Sequence, residues 1–180
     1  MDNIVDTINS NDLIFVGGRP ATGKTNFGLK FALEMIKKTN KVSLILCLDI
    51  SEDSMLSRLK TFTHDKTLID KCRLVGYKEN NSITSIIENF KELKDIGVIV
   101  IDYIQLIKTD DLDNKSNYIL TKLKALANEI NTPIVALSQL SSDVSNEKPT
   151  IKYLESKDID CNNLDKIIFL CEDKTFYEAK

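Results

Sequence analysis

The chain alternates short, nearly continuous apolar runs with longer segments in which apolar residues recur every three or four positions. The apolar runs occupy residues 13–16, 42–48, 98–101, 134–137 and 167–170. Strands that are buried on both faces have this composition, and they are typical of a parallel sheet that is covered by helices. Pro133 precedes the fourth run, where the missing N–H of proline is tolerated at a strand start. The runs therefore predict five strands of such a sheet.

The segments between the runs predict helices. Apolar side chains in residues 83–93 follow the spacing i, i+3, i+4, i+7 and i+10, and Ser82 is placed to cap that helix. Residues 27–35 and 119–130 carry similar stripes, and Ser51 with two acidic residues after it predicts another helix start. The alternation predicts an α/β fold, a doubly wound and mainly parallel sheet with helices on both faces.

Two polar stretches follow strands of this predicted sheet. Residues 108–115 and 141–150 are predicted to be exposed loops on the edge where α/β proteins bind ligands. Between residues 141 and 165 periodicity does not separate helix from loop, and only a short helix near Ile151, Tyr153 and Leu154 is suggested.

A phosphate-binding motif lies between the first run and the helix after it. Residues 18–25 read Gly-Arg-Pro-Ala-Thr-Gly-Lys-Thr and match G-x-x-x-x-G-K-[ST] without exception. Glycines let the backbone wrap a phosphate with N–H groups pointing inward, and the helix adds the positive end of its dipole. The alternative, a glycine turn that happens to carry Lys-Thr, is disfavoured by the strand and helix around it. The residues predicted to bind the nucleotide are Gly18, Arg19, Pro20, Ala21, Thr22, Gly23, Lys24, Thr25 and Asn26.

Specific roles follow for several polar residues. Lys24 is expected to reach the β- and γ-phosphates, and Thr25 to place its hydroxyl on Mg²⁺. Asp102 ends the third apolar run and is predicted to hold the same Mg²⁺, with a helix cap or turn as the alternative. Asp49 ends the second run and either polarises the attacking water or forms a turn. Gln139 ends the fourth run and either senses the γ-phosphate or is merely solvated.

Composition limits the wider function. A chain of 180 residues suffices for one domain, and a net charge of -3 with a pI near 5.3 gives no basic footprint for tight nucleic-acid binding. No run is long enough to span a membrane and no signal peptide is visible, so we expect a cytoplasmic location. Cys47 and Cys171 are predicted to be reduced core residues, His64 a surface residue, and no zinc-site spacing is present.

Several motifs together resemble the ATPase core of DnaB-type replicative DNA helicases, within the RecA-like class of hexameric motors. The resemblance runs from about Asn9 to about Leu170, and it includes the distinctive short motif Asp-Tyr-x-Gln-Leu in residues 102–106. The other matching segments are 12–20 with 23–25, 48–51 with 58–59, 123–127 with 132–141, 154–156, and 164–170.

The resemblance implies an ATPase that moves on single-stranded DNA as a homohexamer, with ATP and Mg²⁺ bound between neighbouring subunits. Lys24, Thr25, Asp102 and Gln139 take the roles given above, and Asp49 becomes the favoured carboxylate for activating water. The whole chain is then expected to be a single RecA-like P-loop ATPase domain, without the family's N-terminal domain, linker helix and C-terminal arginine-finger hairpin. A nucleotide-dependent binding or regulatory module of a replication or mobile-element complex, without helicase activity, is the alternative.

Departures from the family pattern lower the activity expected of the isolated chain. The family usually has Glu at the position of Asp49, and the shorter side chain predicts slow hydrolysis. The loops expected to contact DNA, 110–113 and 141–148, are neutral to acidic, which predicts weak binding of single-stranded DNA. Residues 175–180 are a candidate shortened strand of the finger hairpin with Lys180 at the lysine position, and no arginine follows. The resemblance implies a hexameric ring, whereas the expected absence of the linker helix and the arginine-finger hairpin favours a monomer.

Overall fold

A seven-stranded sheet forms the centre of the computed structural model, which describes residues 2–76, 81–110, 113–141, 148–157, 159–173 and 175–180. The strands are β1 (Leu13–Gly18), β2 (Val42–Cys47), β3 (Cys72–Val75), β4 (Ile96–Asp102), β5 (Ile134–Gln139), β6 (Lys166–Leu170) and β7 (Phe176–Glu178). Their order is β3-β2-β4-β5-β1-β6-β7, and every neighbouring pair is parallel except β6 and β7, which are antiparallel. The predicted doubly wound, mainly parallel sheet is confirmed.

Helices cover both faces of the sheet. They are α1 (Asp2–Asp6), α2 (Lys24–Thr39), α3 (Glu52–Leu59), α4 (Lys66–Lys71), α5 (Ile83–Lys91), α6 (Lys115–Ile130) and α7 (Ile151–Glu155), with 3₁₀ turns at Ile104–Leu106 and Cys161–Asn163. Alternate residues of a strand point to opposite faces, so Leu13 and Phe15 join the core under α5, α6 and α7, while Ile14 and Val16 join the core under α1 to α4. All four side chains are completely buried.

The predicted caps set several helix starts. The hydroxyl of Ser51 accepts a hydrogen bond from the Ser54 N–H, and that of Ser82 accepts from the Ser85 N–H. At the other end, α2 and α6 each stop at an asparagine, Asn40 and Asn131, in the left-handed conformation that closes helices.

The structure departs from the sequence-based picture in a few places. The edge strand β3 and the helix α4 before it were not predicted, because α4 is only six residues long and buries no side chain completely. The prediction that Cys171 is a core residue was wrong, since it follows β6 and is partly exposed, whereas Cys47 is buried as expected. His64 is exposed, as predicted.

Candidate functional site

The carboxyl ends of four parallel strands bring the candidate polar residues to one edge of the sheet. Because β4, β5 and β1 are neighbours, Asp102, Gln139 and the phosphate loop after Gly18 lie side by side. Asp49 lies two residues beyond the end of β2, the strand on the other side of β4. This is the edge at which α/β proteins bind their ligands.

These residues surround one open cavity of about 340 Å³. Its lining contains most of the predicted site residues and two others, Arg58 and Tyr103. The predicted residues in the lining are Pro20, Ala21, Gly23, Lys24, Thr25, Asn26, Asp49, Asp102 and Gln139. The loop is thus open toward a space large enough for an anion.

The remaining predicted loop residues, Gly18, Arg19 and Thr22, do not line this cavity. Gly18 ends β1, and a Cβ added there would stand 2.5 Å from the Thr22 hydroxyl, so the position requires glycine. Arg19 and Thr22 line a second cavity of about 430 Å³ beside the end of β6, and Arg19 forms an ion pair of 3.0 Å with Glu172 there. These residues shape the loop, as the hydrogen bond of 2.8 Å from the Thr22 hydroxyl to the Arg19 carbonyl indicates.

The loop then passes directly into helix α2. Gly23 caps that helix with a φ of 93°, a left-handed conformation that glycine adopts without strain. The first N–H groups of a helix lack partners within the helix and carry its positive dipole end. The cavity therefore has a helix N-terminus as part of its wall, which favours an anionic ligand.

Lys24 is buried at the start of α2, and its amine is held by the loop. The Nζ atom donates to the Gly18 carbonyl at 2.9 Å and to the Arg19 carbonyl at 2.8 Å. Burial lowers the pKa of Lys24, and the carboxylates of Asp102 and Asp49 partly offset that effect. A phosphate in the cavity would act in the same direction as the carboxylates and favour the charged amine.

Asp102 is only 3% exposed and stands next to the start of α2. Its Oδ2 atom accepts a hydrogen bond of 2.7 Å from the Thr25 hydroxyl. Burial raises the pKa of Asp102, and the Thr25 hydrogen bond, Lys24 and Arg58 oppose that rise while Asp49 adds to it. The opposing groups only partly offset the effect of burial on the Asp102 carboxylate. Together with the Thr25 hydroxyl, this carboxylate forms a pair of hard oxygen donors, the type that Mg²⁺ prefers.

The donor set contains few protein ligands. Among the described residues no group of three or more His, Cys, Asp or Glu side chains could hold a metal ion. Mg²⁺ in nucleotide sites is commonly held by one or two protein oxygens together with phosphate oxygens and water, so Thr25 and Asp102 fit that pattern.

Arg58 and Tyr103 received no role from the sequence, although they belong to the matching motifs. Arg58 lies in the last turn of α3, and its charge lowers the pKa of Asp102. Burial raises the pKa of Tyr103, and Asp49 and Asp102 raise it further. The chain has only three arginines, and one of them, Arg58, follows the predicted helix start at Ser51 by two helical turns. This spacing is the feature of the sequence that could have identified Arg58.

Lys180 lies far from this cavity. Because β7 runs antiparallel to β6, the chain returns to the amino edge of the sheet, where the Lys180 amine donates to the carbonyls of Cys161 and Leu164.

The candidate DNA loops are only partly described: residues 111, 112 and 142–147 lie outside the described residues. Within the described ranges, every helix is too short or too polar to span a bilayer.

The sheet order, the phosphate loop and the carboxylate opposite it define a RecA-like P-loop nucleotide-binding domain. The chain belongs to the DnaB-like helicase C terminal domain family, whose model matches residues 1–74 and 60–180. Its fold is similar to that of a solved ATPase domain, with a TM-score of 0.74, 22% identity, and coverage of 92% of this chain and 71% of that one.

Curated relatives extend the comparison. A probable replicative DNA helicase of Trieres chinensis is 28% identical, over 98% of this chain and 46% of the relative. The replicative DNA helicase DnaB of Synechocystis sp. is 29% identical over 94% and 23%, and that of Geobacillus stearothermophilus is 28% identical over 96% and 46%. The chain spans about half or less of the length of these relatives.

Proposed function

We propose that this domain binds ATP with Mg²⁺ and hydrolyses it as the motor unit of a DnaB-like replicative helicase that acts on single-stranded DNA. The observation that carries the proposal is the open cavity in which the phosphate loop and the start of α2 face Asp102, Asp49 and Gln139. Such an arrangement can bind a triphosphate, hold its metal and direct water at the terminal phosphate.

The phosphate loop binds the β- and γ-phosphates in this proposal. Main-chain N–H groups of residues 21–25 surround the anion, and the Lys24 amine moves from the Gly18 and Arg19 carbonyls to the phosphate oxygens. Exchanging two neutral acceptors for a charged one strengthens the hydrogen bonds of the amine.

Thr25 and Asp102 hold the metal in this proposal. Their hydrogen bond of 2.7 Å puts a hydroxyl and a carboxylate at one point of the cavity wall. Mg²⁺ at that point would neutralise charge on the β- and γ-phosphate oxygens. The same positive charge would favour the ionised form of Asp102, whose pKa is raised by burial in its absence.

Asp49 and Gln139 act on the far side of the γ-phosphate. The Asp49 carboxylate is exposed at the cavity and close enough to Lys24, Asp102 and Tyr103 to influence their pKa values. It therefore serves as the base that orients and deprotonates the attacking water. The Gln139 amide contacts the γ-phosphate, and release of that phosphate after hydrolysis changes the position of the chain that follows Ser141.

DNA binding and ring formation are further parts of the proposal. The relatives are named replicative DNA helicases, and the segments that follow β4 and β5 start at the nucleotide edge of the sheet. We infer that these segments meet single-stranded DNA and that ATP binds between subunits of a homohexamer.

A nucleotide-dependent regulatory module without helicase activity is the second candidate. It is favoured by Asp49 at the proposed water-activating position. It is also favoured by Asp110 and Asp113 in the loop after β4, since acidic residues repel a phosphate backbone. Both candidates require nucleotide binding, and they differ in whether DNA changes the rate of hydrolysis.

The test combines ATP binding by calorimetry, ATP hydrolysis with and without single-stranded oligo-dT, and light scattering for mass. The motor proposal expects turnover that rises with oligo-dT and disappears in Lys24→Ala, with a mass that grows toward six chains when ATP and DNA are present. ATP binding without any stimulation by DNA would favour the regulatory module, and failure to bind ATP would contradict both.

A further inference from the structure

Strand β5 continues past the point at which its neighbour β4 leaves it. Pairing between β4 and β5 stops at Ile101 and Ala136, whereas pairing between β5 and β1 continues to Gly18 and Gln139. The last part of β5 therefore has a strand on only one side. Main-chain groups at such a position bond to a side chain or to water in place of the missing strand.

The side-chain amide of Gln105 supplies those partners. Its Oε1 atom accepts from the Gln139 N–H at 3.2 Å, and its Nε2 atom donates to the Gln139 carbonyl at 3.1 Å. The same Nε2 atom donates to the Ser138 hydroxyl at 2.8 Å. A primary amide has two N–H donors and a carbonyl acceptor, so one side chain satisfies both main-chain groups of Gln139 and a buried hydroxyl.

Gln105 is itself held from two directions. It lies in the 3₁₀ turn Ile104–Leu106, three residues after Asp102, and Ile104 beside it is buried. Its main-chain carbonyl accepts a hydrogen bond of 2.9 Å from the amine of Lys115, at the start of α6. The amide therefore projects from a fixed turn and makes a link between the ends of β4 and β5.

The link joins the two sides of the nucleotide cavity. Asp102 and Gln139 line that cavity from different strands, and the pairing of β4 with β5 ends before this level of the sheet. With its N–H and carbonyl held by Gln105, the main chain of Gln139 is fixed at the cavity wall, and this sets the point from which its side chain extends. Positions fixed in this way lose less entropy when a ligand binds.

We propose that Gln105 is a positioning residue that holds the end of β5 so that the Gln139 side chain meets the γ-phosphate. The catalytic part of this inference rests on the proposed ATPase function, whereas the structural part applies to the nucleotide-free domain. Gln105 acts through Gln139 and contacts no reacting atom.

Amide hydrogen exchange followed by NMR tests the structural part without nucleotide. Gln105→Leu removes every hydrogen bond of the side chain, and we expect the Gln139 N–H to exchange roughly tenfold faster, as for the loss of one net hydrogen bond. The Leu140 N–H, which donates to the Gly18 carbonyl, should be unchanged and shows that the sheet remains folded. Gln105→Glu keeps an acceptor and should give an intermediate rate.

A double-mutant cycle tests the catalytic part. Gln105→Leu should lower kcat about tenfold or more while KM stays within about threefold, because a displaced Gln139 fails mainly in the transition state. In a Gln139→Ala background the same substitution should have no further effect. Asn128→Leu, which removes an exposed amide at the far edge of the sheet, is the matched control and should leave kcat unchanged.

Each outcome decides between supporting and overturning the inference. Unchanged exchange of the Gln139 N–H in Gln105→Leu would overturn it, as would full additivity of the two substitutions in kcat. Calorimetry with ATP and Mg²⁺ on the same proteins keeps the two proposals separate. If the wild type fails to bind ATP, the proposed function fails, and the exchange rates alone decide whether Gln105 positions Gln139.

Discussion

Replacement of Asp49 by Glu is expected to speed ATP hydrolysis. Asp49 is exposed at the cavity, beyond the end of β2, so a longer side chain meets no packed core there. The added methylene moves the carboxylate about 1.5 Å further into the cavity. A misplacement of about 1 Å can cost a hundredfold in rate, and a general base contributes roughly 10²- to 10⁴-fold. We therefore expect kcat to rise about 10- to 100-fold, which corresponds to roughly 1.4–2.7 kcal/mol in the activation barrier.

The assay is steady-state phosphate release at saturating ATP and Mg²⁺, with ATP affinity measured separately by calorimetry. The affinity should change less than about threefold, since the charge of residue 49 is unchanged. Asp53→Glu is the matched control, because Asp53 is an exposed residue in the first turn of α3 and does not line the cavity. The reasoning is refuted if Asp49→Ala hydrolyses ATP as fast as the wild type, or if Asp49→Glu is no faster.

Three further predictions concern burial. Because burial raises the pKa of Asp102, its ionised form lowers the stability of the free domain at neutral pH. Asp102→Asn should therefore raise the Tm of the free domain and remove Mg²⁺-dependent nucleotide affinity, and a lower Tm in thermal unfolding would contradict this. Burial raises the pKa of Cys47 and of Cys72 from 9.0 to about 12, so both thiols stay protonated at pH 8. They should resist iodoacetamide until the chain is unfolded, and mass spectrometry of the labelled protein measures this. Phe31→Ala should lower the free energy of unfolding by about 3–5 kcal/mol because Phe31 is completely buried, whereas Phe176→Ala, at a side chain 37% exposed, should cost clearly less in urea titration.

The parts of the fold that the sequence predicts are those in which local pattern and burial agree. The five central strands are buried on both faces, so each is a nearly continuous apolar run that can be identified without tertiary information. Ser51 and Ser82 cap helices whose apolar spacing is regular. By contrast β3 is an edge strand of four residues in which only Cys72 is buried, and it has no such pattern. Its place in the sheet comes from pairing with β2.

The candidate site divides in the same way. The phosphate loop and Asp102 are visible in the sequence because their chemistry requires fixed residue types next to a strand. The role of Gln105 is invisible there, because it depends on where β4 stops pairing with β5, and that is a property of the folded sheet. Cys171 was misplaced because its neighbours 167–170 are apolar, while the chain turns outward directly after Leu170.

Binding of ATP and Mg²⁺, measured by isothermal calorimetry on the wild type and on Lys24→Ala, tests the central claim most directly. The Lys24 amine makes charge-assisted hydrogen bonds to phosphate in this account, and losing them should weaken binding by roughly 10- to 100-fold or more. Lys37→Ala removes an exposed lysine from the same helix and should bind as the wild type does. Equal affinities for the wild type and Lys24→Ala, or no binding to the wild type, would contradict the assignment of this cavity to a nucleotide.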